Sequence, residues 1–203
     1  MYVIATTLFT WLQGADFYRD LHRQAVDSLP AGEGKQWIDI GCGPGLVTRL
    51  AVTRGYAATG IDTSAGMVKA ARRLAKWHRS AATFQQGDLG SLPEQGADVV
   101  SAASLLAVLD DKREGLRALW TGVRPGGHLL VIEPTPEMTP ENAARLIRSG
   151  LPGKRLRGLK MWAASRQGRA VDAQLFQQLE AADVQYHDLL GGVVGAWIFR
   201  KPV

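Results

Sequence analysis

The sequence predicts an α/β fold: a seven-stranded, mostly parallel sheet with helices on both faces and a C-terminal antiparallel hairpin. Short apolar runs typical of strands alternate with helix-like stretches from residue 36 to residue 132, as in parallel sheets that are covered on both faces. A glycine-rich turn, Gly41–Gly45, joins the first strand directly to a helix. Two later β-rich runs, Val184–Leu190 and Val194–Arg200, are joined through Gly191-Gly192, which predicts the hairpin.

The composition is that of an ordinary globular protein. The 203 residues, 46% hydrophobic and 21% charged, suit one domain with a substantial core. No apolar run approaches the roughly 18 residues that a membrane-spanning helix needs. The stretch Met1–Trp11 is mildly apolar but has neither a basic front nor a clear cleavage site, so we expect it to be part of the mature fold.

The cysteine and histidine content argues against disulfide and metal chemistry. Cys42 is the single cysteine, so no disulfide can form within the chain, which favours a reducing, cytoplasmic location. The four histidines and the cysteine do not show metal-ligand spacing, and we expect no metal site. The sequence indicates no particular oligomeric state.

The parallel part of the sheet can be assigned element by element. The predicted strands are short runs bounded by turn residues: Gln36–Ile40, Ala57–Ile61, Thr83–Gln86, Asp98–Ala102 and His128–Ile132. The helices predicted between them are Leu46–Arg54, Ala65–His78 and Asp111–Val123. Arg124–Gly127, which reads Arg-Pro-Gly-Gly, is predicted to be the turn before the fifth strand. Right-handed crossovers place the carboxyl ends of these strands at one edge of the sheet, where ligands of such folds bind.

The single predicted domain divides into four regions. They are a helical cap, a ligand-binding core, a basic helical excursion and a closing helix with the hairpin, over residues 1–30, 35–134, 135–170 and 171–203. Leucine and alanine at helical spacing predict a helix at about Asp16–Leu29 in the cap. Thr139 followed by Pro140 is typical of a helix N-terminus in the excursion. A further helix is predicted at Asp172–Ala182.

The excess of positive charge is concentrated in the excursion. The net charge is +5, and residues 145–169 contain eight basic residues and no acid: Arg145, Arg148, Lys154, Arg155, Arg157, Lys160, Arg166 and Arg169. Such a segment can face an acidic substrate, a carrier protein or nucleic acid, or can be a solvated surface. Apart from Trp162 it lacks the interleaved aromatic residues typical of base stacking, so nucleic acid is not the favoured partner.

The glycine-rich turn predicts a small-molecule site. Glycine lets the backbone turn tightly and lets a ligand approach the main chain, next to the free N–H groups of the following helix. The Gly-x-Gly-x-Gly spacing of Gly41, Gly43 and Gly45 differs from the Gly-x-Gly-x-x-Gly of dinucleotide-binding folds. Asp39, two residues before the first glycine, would repel a pyrophosphate and favour a ligand with an ammonium group. A nicotinamide-dependent oxidoreductase is therefore disfavoured.

Two more acids end the next two strands. Asp62 lies 17 residues after Gly45, where its carboxylate can accept both hydroxyls of an unphosphorylated ribose. Asp88 ends the third strand and can accept from the exocyclic amino group of adenine. Each acid alone is more often a cap or loop residue. Together with Asp39 they indicate a ligand with ammonium, ribose and adenine parts, a description that fits S-adenosylmethionine.

The ordered motifs resemble those of class I S-adenosylmethionine-dependent methyltransferases of the small-molecule type. The resemblance covers about residues 35–134, and the closing hairpin agrees with the family's sixth and seventh strands. The matching stretches are Asp39–Gly45, Gly60–Ser64, Gly87–Leu89, Asp98–Ala102 and Arg124–Leu129.

The resemblance implies which residues contact the cofactor. Asp62 would hold the ribose, Met67 would pack on the adenine and Asp88 would flank its amino edge, while Ala103 and Ser104 would line the sulfonium side. The full implied set is Asp39, Gly41, Cys42, Gly43, Gly45, Asp62, Thr63, Met67, Asp88, Leu89, Ala103 and Ser104.

The sequence does not identify a catalytic residue. Many small-molecule members carry a Leu-His-His-Leu-like stretch after the fourth strand, whereas Ser104–Leu109 has no histidine, which excludes a proton acceptor of that kind. The candidates elsewhere are Glu133 at the end of the fifth strand, Tyr18 in the N-terminal helix and His187 in the sixth strand. His128 begins the fifth strand, at the wrong edge of the sheet.

Other residues could complete the site. Tyr18 and Arg19 could close over the cofactor and meet its carboxylate, and Trp11 and Trp162 could wall an acceptor pocket. We expect residues 1–30 and 135–170 to set the choice of acceptor.

The sequence thus predicts transfer of a methyl group to an O, N, S or C atom of a small molecule, with S-adenosylhomocysteine as the product. The basic excursion suits an anionic acceptor. Two alternatives remain open: a methyltransferase that docks RNA or protein on residues 145–169, and a module that binds S-adenosylmethionine without catalysis.

Overall fold

The computed structural model describes residues 2–203, with side chains described from Thr7 onward. The strands are β1 Gln36–Ile40, β2 Ala57–Asp62, β3 Thr83–Gln86, β4 Ala97–Ala103, β5 Val123–Pro134, β6 Asp183–Leu189 and β7 Val194–Arg200. They form one sheet in the order β3-β2-β1-β4-β5-β7-β6. The first five strands pair in parallel, and β7 runs antiparallel to both β5 and β6.

Seven α-helices occur in the described part of the chain. They are α1 Tyr2–Leu12, α2 Asp16–Asp27, α3 Leu46–Thr53, α4 Ala65–Trp77, α5 Lys112–Gly122, α6 Pro140–Arg148 and α7 Arg157–Arg166. Three short 3-10 helices cover Leu89–Ser91, Leu106–Val108 and Ala173–Gln178. None of the helices in the described residues has the length and apolar character needed to cross a bilayer.

The order of the strands changes direction at β1. The chain builds β1, β2 and β3 outward on one side and then returns to place β4 on the other side of β1. Asp39 of β1 is therefore paired with Gly60 of β2 and with Ser101 of β4. Loops that leave the carboxyl ends of the strands diverge at such a point and open a crevice.

The predicted sheet, with its parallel strands and closing hairpin, is confirmed, with one correction. Arg124–Gly127, predicted to be a turn, lies inside β5, which begins at Val123 and not at His128. Gly126 has a positive φ of 75°, and the pairing of β4 with β5 changes register between Ala97 and Val99. The segment is therefore an irregular, bulged start of the strand.

The prediction of a helix at Asp172–Ala182 is wrong. Only the 3-10 helix Ala173–Gln178 forms there, and the Asp172 side chain accepts a hydrogen bond from the N–H of Gln174 at 2.9 Å at its start. Phe176 packs on Trp197 of β7, with 4.8 Å between ring centroids. This contact fixes the segment just before the chain must extend into β6, which leaves room for a short helix only.

The helices before β1 and those after β5 pack together on one face of the sheet. Trp162 of α7 is 1% exposed, and its ring meets that of Tyr18 of α2 edge to face, with 5.1 Å between centroids. Gly158 of α7 lies against α1, where a Cβ would be 2.7 Å from the Leu12 side chain. Burial of such large side chains contributes about 1.5–3 kcal/mol each. The sequence-distant cap and excursion thus form one layer beside the crevice.

Candidate functional site

A cavity of about 420 Å³ opens at the carboxyl ends of β1, β2 and β4. Loops that follow these strands form one wall, and side chains from α1, α2 and α7 and the turn between α1 and α2 form the other. The volume falls within the range of small-molecule and cofactor sites.

Most of the residues predicted to bind a cofactor meet in this cavity. The eleven that line it are Asp39, Gly41, Cys42, Gly43, Asp62, Thr63, Met67, Asp88, Leu89, Ala103 and Ser104. The twelfth, Gly45, is not part of the lining. A Cβ at Gly45 would lie 2.4 Å from Cε1 of Phe84, so this glycine is required for close packing of the loop on β3.

Gly43 differs from Gly45 although both have a positive φ, 52° and 78°. A Cβ at Gly43 would meet no atom within 4 Å. Its open side and its place in the lining leave the main chain accessible to a ligand.

Asp62 fixes the glycine loop from the neighbouring strand. One carboxylate oxygen accepts a hydrogen bond from the N–H of Gly43 at 2.9 Å, and the other accepts from the N–H of Ser64 at 2.8 Å. Ser64 in turn caps α4 by accepting from the N–H of Met67 at 3.3 Å. A carboxylate oxygen has a second acceptor site, so Asp62 can still accept from ligand hydroxyls.

Asp39 sits beneath the loop and is 1% exposed. Its two oxygens accept hydrogen bonds from the hydroxyls of Thr48, at 2.7 Å, and Ser101, at 2.8 Å. Burial raises the pKa of Asp39 to about 6, and the hydrogen bonds from Thr48 and Ser101 oppose the rise. Trp37 donates to Ser101 at 2.8 Å, so the network ties β1, β4 and α3 together. Asp39 therefore has a structural role as well as a negative charge beside the cavity.

The far ends of the cavity are shaped by Asp88 and Ser104. Asp88 is exposed and accepts a 3.4 Å hydrogen bond from the hydroxyl of Ser91. Ser104 has a φ of 55°, which is uncommon for a residue with a side chain, and its N–H donates to the carbonyl of Ile132 at 2.8 Å. Backbone strain of this kind is concentrated at functional sites.

Two of the three catalytic candidates lie outside the cavity. Glu133 is fully buried and accepts hydrogen bonds from the N–H groups of Leu106, at 2.7 Å, and Ala107, at 3.3 Å. Burial raises the pKa of Glu133 to about 8. It fixes the 3-10 helix after β4, a positioning role. His187 lies in the edge strand β6, away from the lining, whereas Tyr18 does line the cavity.

The further suggestions for the site are not supported by its geometry. Arg19 pairs with Asp16 and does not line the cavity. Trp162 is buried behind Tyr18, and Trp11 lies between Arg155 and Arg157, each guanidinium carbon being 5.3 Å from a ring centroid of Trp11. Neither tryptophan is among the lining residues.

The cap and the excursion contribute lining residues that the sequence patterns did not single out. They are Phe9, Gln13, His22 and Arg166. Of the eight basic residues in the excursion, Arg166 is the one that is not exposed. No local sequence signal distinguishes it, because its position depends on packing between α7 and the two N-terminal helices.

His22 is a buried histidine on the cavity wall. Its Nδ1 lies 2.7 Å from the carbonyl oxygen of Tyr18. A carbonyl can only accept, so Nδ1 carries the proton and Nε2 keeps its lone pair. Burial lowers the pKa of His22 to about 4, which makes it neutral and weakly basic at pH 7.

Gln13 is oriented by Arg49, which is also largely buried. Arg49 donates to the carbonyl of Pro44 in the glycine loop and to Oε1 of Gln13, both at 2.8 Å. Since a guanidinium only donates, the side-chain oxygen of Gln13 must face Arg49. The amide N–H groups of Gln13 are then free for a ligand beside the loop.

Within the described residues there is no cluster of three or more histidine, cysteine, aspartate or glutamate side chains able to hold a metal ion. The polar groups of the cavity are acids near the strand ends, amide donors beside the glycine loop and the guanidinium of Arg166.

Known proteins share both sequence and fold with this chain. Residues 38–129 match a family model described as a methyltransferase domain. Trans-aconitate 2-methyltransferase of Methylobacterium nodulans is 36% identical over 132 residues, which cover 62% of this chain and 49% of the relative. Malonyl-[acyl-carrier protein] O-methyltransferase of Enterobacter lignolyticus is 31% identical over 130 residues, 61% of this chain and 50% of the relative. The chain spans about half the length of these relatives.

The fold is also found in a solved structure of phosphoethanolamine N-methyltransferase 2 from Haemonchus contortus in complex with S-adenosyl-L-methionine. The TM-score is 0.70 at 14% identity, with 98% of this chain and 57% of that protein covered. At this identity the likeness shows the shared fold. The family model and the related sequences together identify residues 38–129 as a methyltransferase domain, and the solved structure shows the same fold.

Proposed function

We propose that the chain binds S-adenosylmethionine in the cavity at the ends of β1, β2 and β4 and catalyses transfer of its methyl group to a small-molecule acceptor. The observation that carries this proposal is the arrangement of Asp62, which fixes the open glycine Gly43 and still has acceptor sites directed to the same cavity. S-adenosylmethionine would need both features: an open main chain at Gly43 beside its methionine part, and the acid Asp62 beside its ribose.

The residues present fit the parts of the cofactor. Asp62 would accept from the ribose hydroxyls, and Met67 and Leu89 offer apolar surface for the adenine, with Asp88 near its amino edge. The open backbone of Gly43 would border the methionine part. When bound, S-adenosylmethionine supplies a methyl group already activated by the sulfonium, so orientation of the acceptor provides much of the rate enhancement.

Gln13 completes the cofactor site in this proposal. Its N–H groups lie beside the glycine loop because Arg49 holds both its oxygen and the carbonyl of Pro44. They would donate to the carboxylate of the methionine part. The negative charge of Asp39 beneath the loop would favour the ammonium group of the same part.

An acceptor would enter between the loop side and the helical wall formed by α1, α2 and α7. The space is of small-molecule size, which supports a metabolite over a folded macromolecule. The named acceptors of the two relatives, trans-aconitate and a malonyl thioester, both carry carboxylates. An acceptor that is already ionised needs no strong base, which agrees with the low basicity of His22.

A labelling experiment tests this function. The protein would be incubated with S-adenosylmethionine carrying a tritiated methyl group and, in separate reactions, a small-metabolite extract, transfer RNA or a protein extract. We expect label in the small metabolites, and much less label with the Asp62→Ala variant at the same subsaturating cofactor concentration. Label in RNA or protein alone would contradict a small-molecule acceptor. Cofactor binding without any labelling would instead favour a non-catalytic module.

A further inference from the structure

Arg166 brings a positive charge to the cavity wall. Its Nε is buried and has no hydrogen-bond partner, and no ion pair to Arg166 is found among residues 7–203. The guanidinium carbon lies 5.2 Å from the centroid of the Phe9 ring, and Nη1 donates a long hydrogen bond of 3.4 Å to the carbonyl of Ser165. A charge removed from water in this way is costly unless a partner compensates.

Arg166 and Asp62, the acid proposed to bind the ribose, are associated with different strands of the sheet. Burial lowers the pKa of Arg166, while the nearby Tyr18 and Glu133 oppose this change. Arg166 is therefore close to the end of β5, where Glu133 lies. Asp62 ends β2, and both β1 and β4 separate β2 from β5 in the sheet. In the order of the strands, the electrostatic partner Glu133 on β5 is thus separated from the strand that carries Asp62.

The proposed cofactor site already has a donor for the cofactor's own carboxylate. Gln13 presents its amide N–H groups beside the glycine loop, through the hydrogen bonds of Arg49. If Gln13 binds that carboxylate, Arg166 is available for a second anion that enters with the acceptor.

We propose that Arg166 binds a carboxylate group of the acceptor and thereby selects carboxylic acids as substrates; this inference rests on the methyl transfer proposed above. Nε and one terminal nitrogen of a guanidinium lie on the same edge and can donate two parallel hydrogen bonds to a carboxylate. Nε has no hydrogen-bond partner among the described side chains, Thr7 onward, and is available for such a bond. The Phe9 ring supports the guanidinium from one face, and the wall formed by Tyr18 and His22 limits the size of the acid.

The test combines acceptor kinetics with cofactor binding. Rates would be measured with labelled S-adenosylmethionine and five acceptors: trans-aconitate, malonyl-pantetheine, the carboxamide of each of these two acids, and phosphoethanolamine as a phosphate-bearing comparison. The variants are Arg166→Gln, Arg166→Lys and, as a matched control, Arg169→Gln, which removes an exposed charge three residues further on. Calorimetry with S-adenosylmethionine on each variant reports whether the cofactor site is intact.

We expect at least one acid to be methylated and its carboxamide to react far more slowly. Arg166→Gln should raise KM for the acid by about 10–100-fold, as for loss of a charged hydrogen-bond pair, with kcat and cofactor affinity within about twofold. Arg166→Lys should raise KM less than Arg166→Gln does, because lysine keeps the positive charge but lacks the two parallel donors of the guanidinium. Arg169→Gln should behave as the unaltered protein.

The proposal would be overturned by an unchanged KM in Arg166→Gln, by a loss of cofactor affinity in that variant equal to its loss of acceptor affinity, or by methylation confined to the carboxamides or to phosphoethanolamine. If Arg166→Gln does not fold, Arg166→Lys decides by the same comparison of KM with cofactor affinity. Absence of any methylated acid while the unaltered protein binds S-adenosylmethionine also overturns it. Failure of the unaltered protein to bind the cofactor would contradict the proposed function itself.

Discussion

The carboxylate of Asp62 accepts a hydrogen bond from the N–H of Gly43 at 2.9 Å. This bond links the end of β2 to the loop after β1, and the second oxygen of Asp62 holds the N–H of Ser64 at the start of α4. One side chain therefore sets both the position of the glycine loop and that of the neighbouring helix N-terminus. Its removal should disturb binding before it disturbs the fold, because Asp62 is only partly buried.

Asp62→Ala is expected to weaken the binding of S-adenosylmethionine by about 10–100-fold, since hydrogen bonds to a charged group contribute about 1.5–3 kcal/mol. Calorimetric titration measures the affinity, and circular dichroism confirms the fold. Glu94→Ala, which removes an exposed acid away from the cavity, is the matched control. An affinity equal to that of the control would exclude the ribose contact.

Gly43 and Gly45 form a matched pair for separating binding from folding. Both have a positive φ, so alanine incurs a similar backbone cost of about 1–2 kcal/mol at either position. At Gly45 the new Cβ would also collide with Phe84, which adds about 1–3 kcal/mol of overpacking. At Gly43 it would project into open space beside the cavity.

We therefore expect Gly45→Ala to lower Tm more than Gly43→Ala, and Gly43→Ala to lower the affinity for S-adenosylmethionine in protein that remains folded. Thermal unfolding with and without the cofactor measures both effects. A Gly43→Ala protein with unaltered cofactor affinity would be incompatible with backbone contact at this glycine.

The pKa of Asp39, raised to about 6 by burial, predicts pH-dependent cofactor binding. A ligand with an ammonium and a sulfonium favours the ionised carboxylate, so affinity should be highest above pH 6 and fall as Asp39 is protonated below it. Between pH 7 and pH 5 the expected loss is about tenfold. Asp39→Asn should bind weakly at both pH values and lose this dependence. Calorimetric titrations of both proteins at pH 7 and pH 5 measure this dependence. An equal change in affinity in the two proteins would refute the role of the Asp39 charge.

His22 should make the fold sensitive to acid. Its pKa is lowered from 6.5 in the unfolded chain to about 4 in the folded protein, so the unfolded chain binds more protons between these values. Neutral His22 therefore contributes about 3 kcal/mol to the free energy of unfolding. This contribution is present above about pH 6.5 and is lost as the pH falls toward 4.

Denaturant unfolding from pH 8 to pH 4 compares the protein with His22→Asn, which can keep a donor for the Tyr18 carbonyl. The raised pKa values of Asp39 and Glu133 act in the opposite direction, but they act in both proteins. The difference between the two curves should therefore shrink as the pH falls. A constant difference would show that His22 does not titrate in this way.

The core of the fold was predictable because its signals are local. Apolar runs and turn residues identify β1 to β5, and the glycine spacing with Asp39, Asp62 and Asp88 identifies one edge of the sheet. Parallel topology then brings these groups together without further information. Gly45 was assigned to the cofactor because spacing alone does not show that Phe84 occupies its far side.

The helical wall could not be predicted in the same way. Arg166 looks like seven other basic residues of the excursion, and tertiary contacts such as that between Trp162 and Tyr18 place α7 over the cavity. His22 and Gln13 depend likewise on how the N-terminal helices pack. The predicted helix Asp172–Ala182 failed because the contact of Phe176 with Trp197 overrides local helix preference.

The most direct test of cofactor identity is a calorimetric titration of the unaltered protein with S-adenosylmethionine, with NAD as the comparison ligand. We expect one S-adenosylmethionine, or one S-adenosylhomocysteine, to bind per chain and NAD not to bind, because Asp39 and the glycine spacing disfavour a pyrophosphate. Binding of NAD without binding of S-adenosylmethionine would contradict the proposed function.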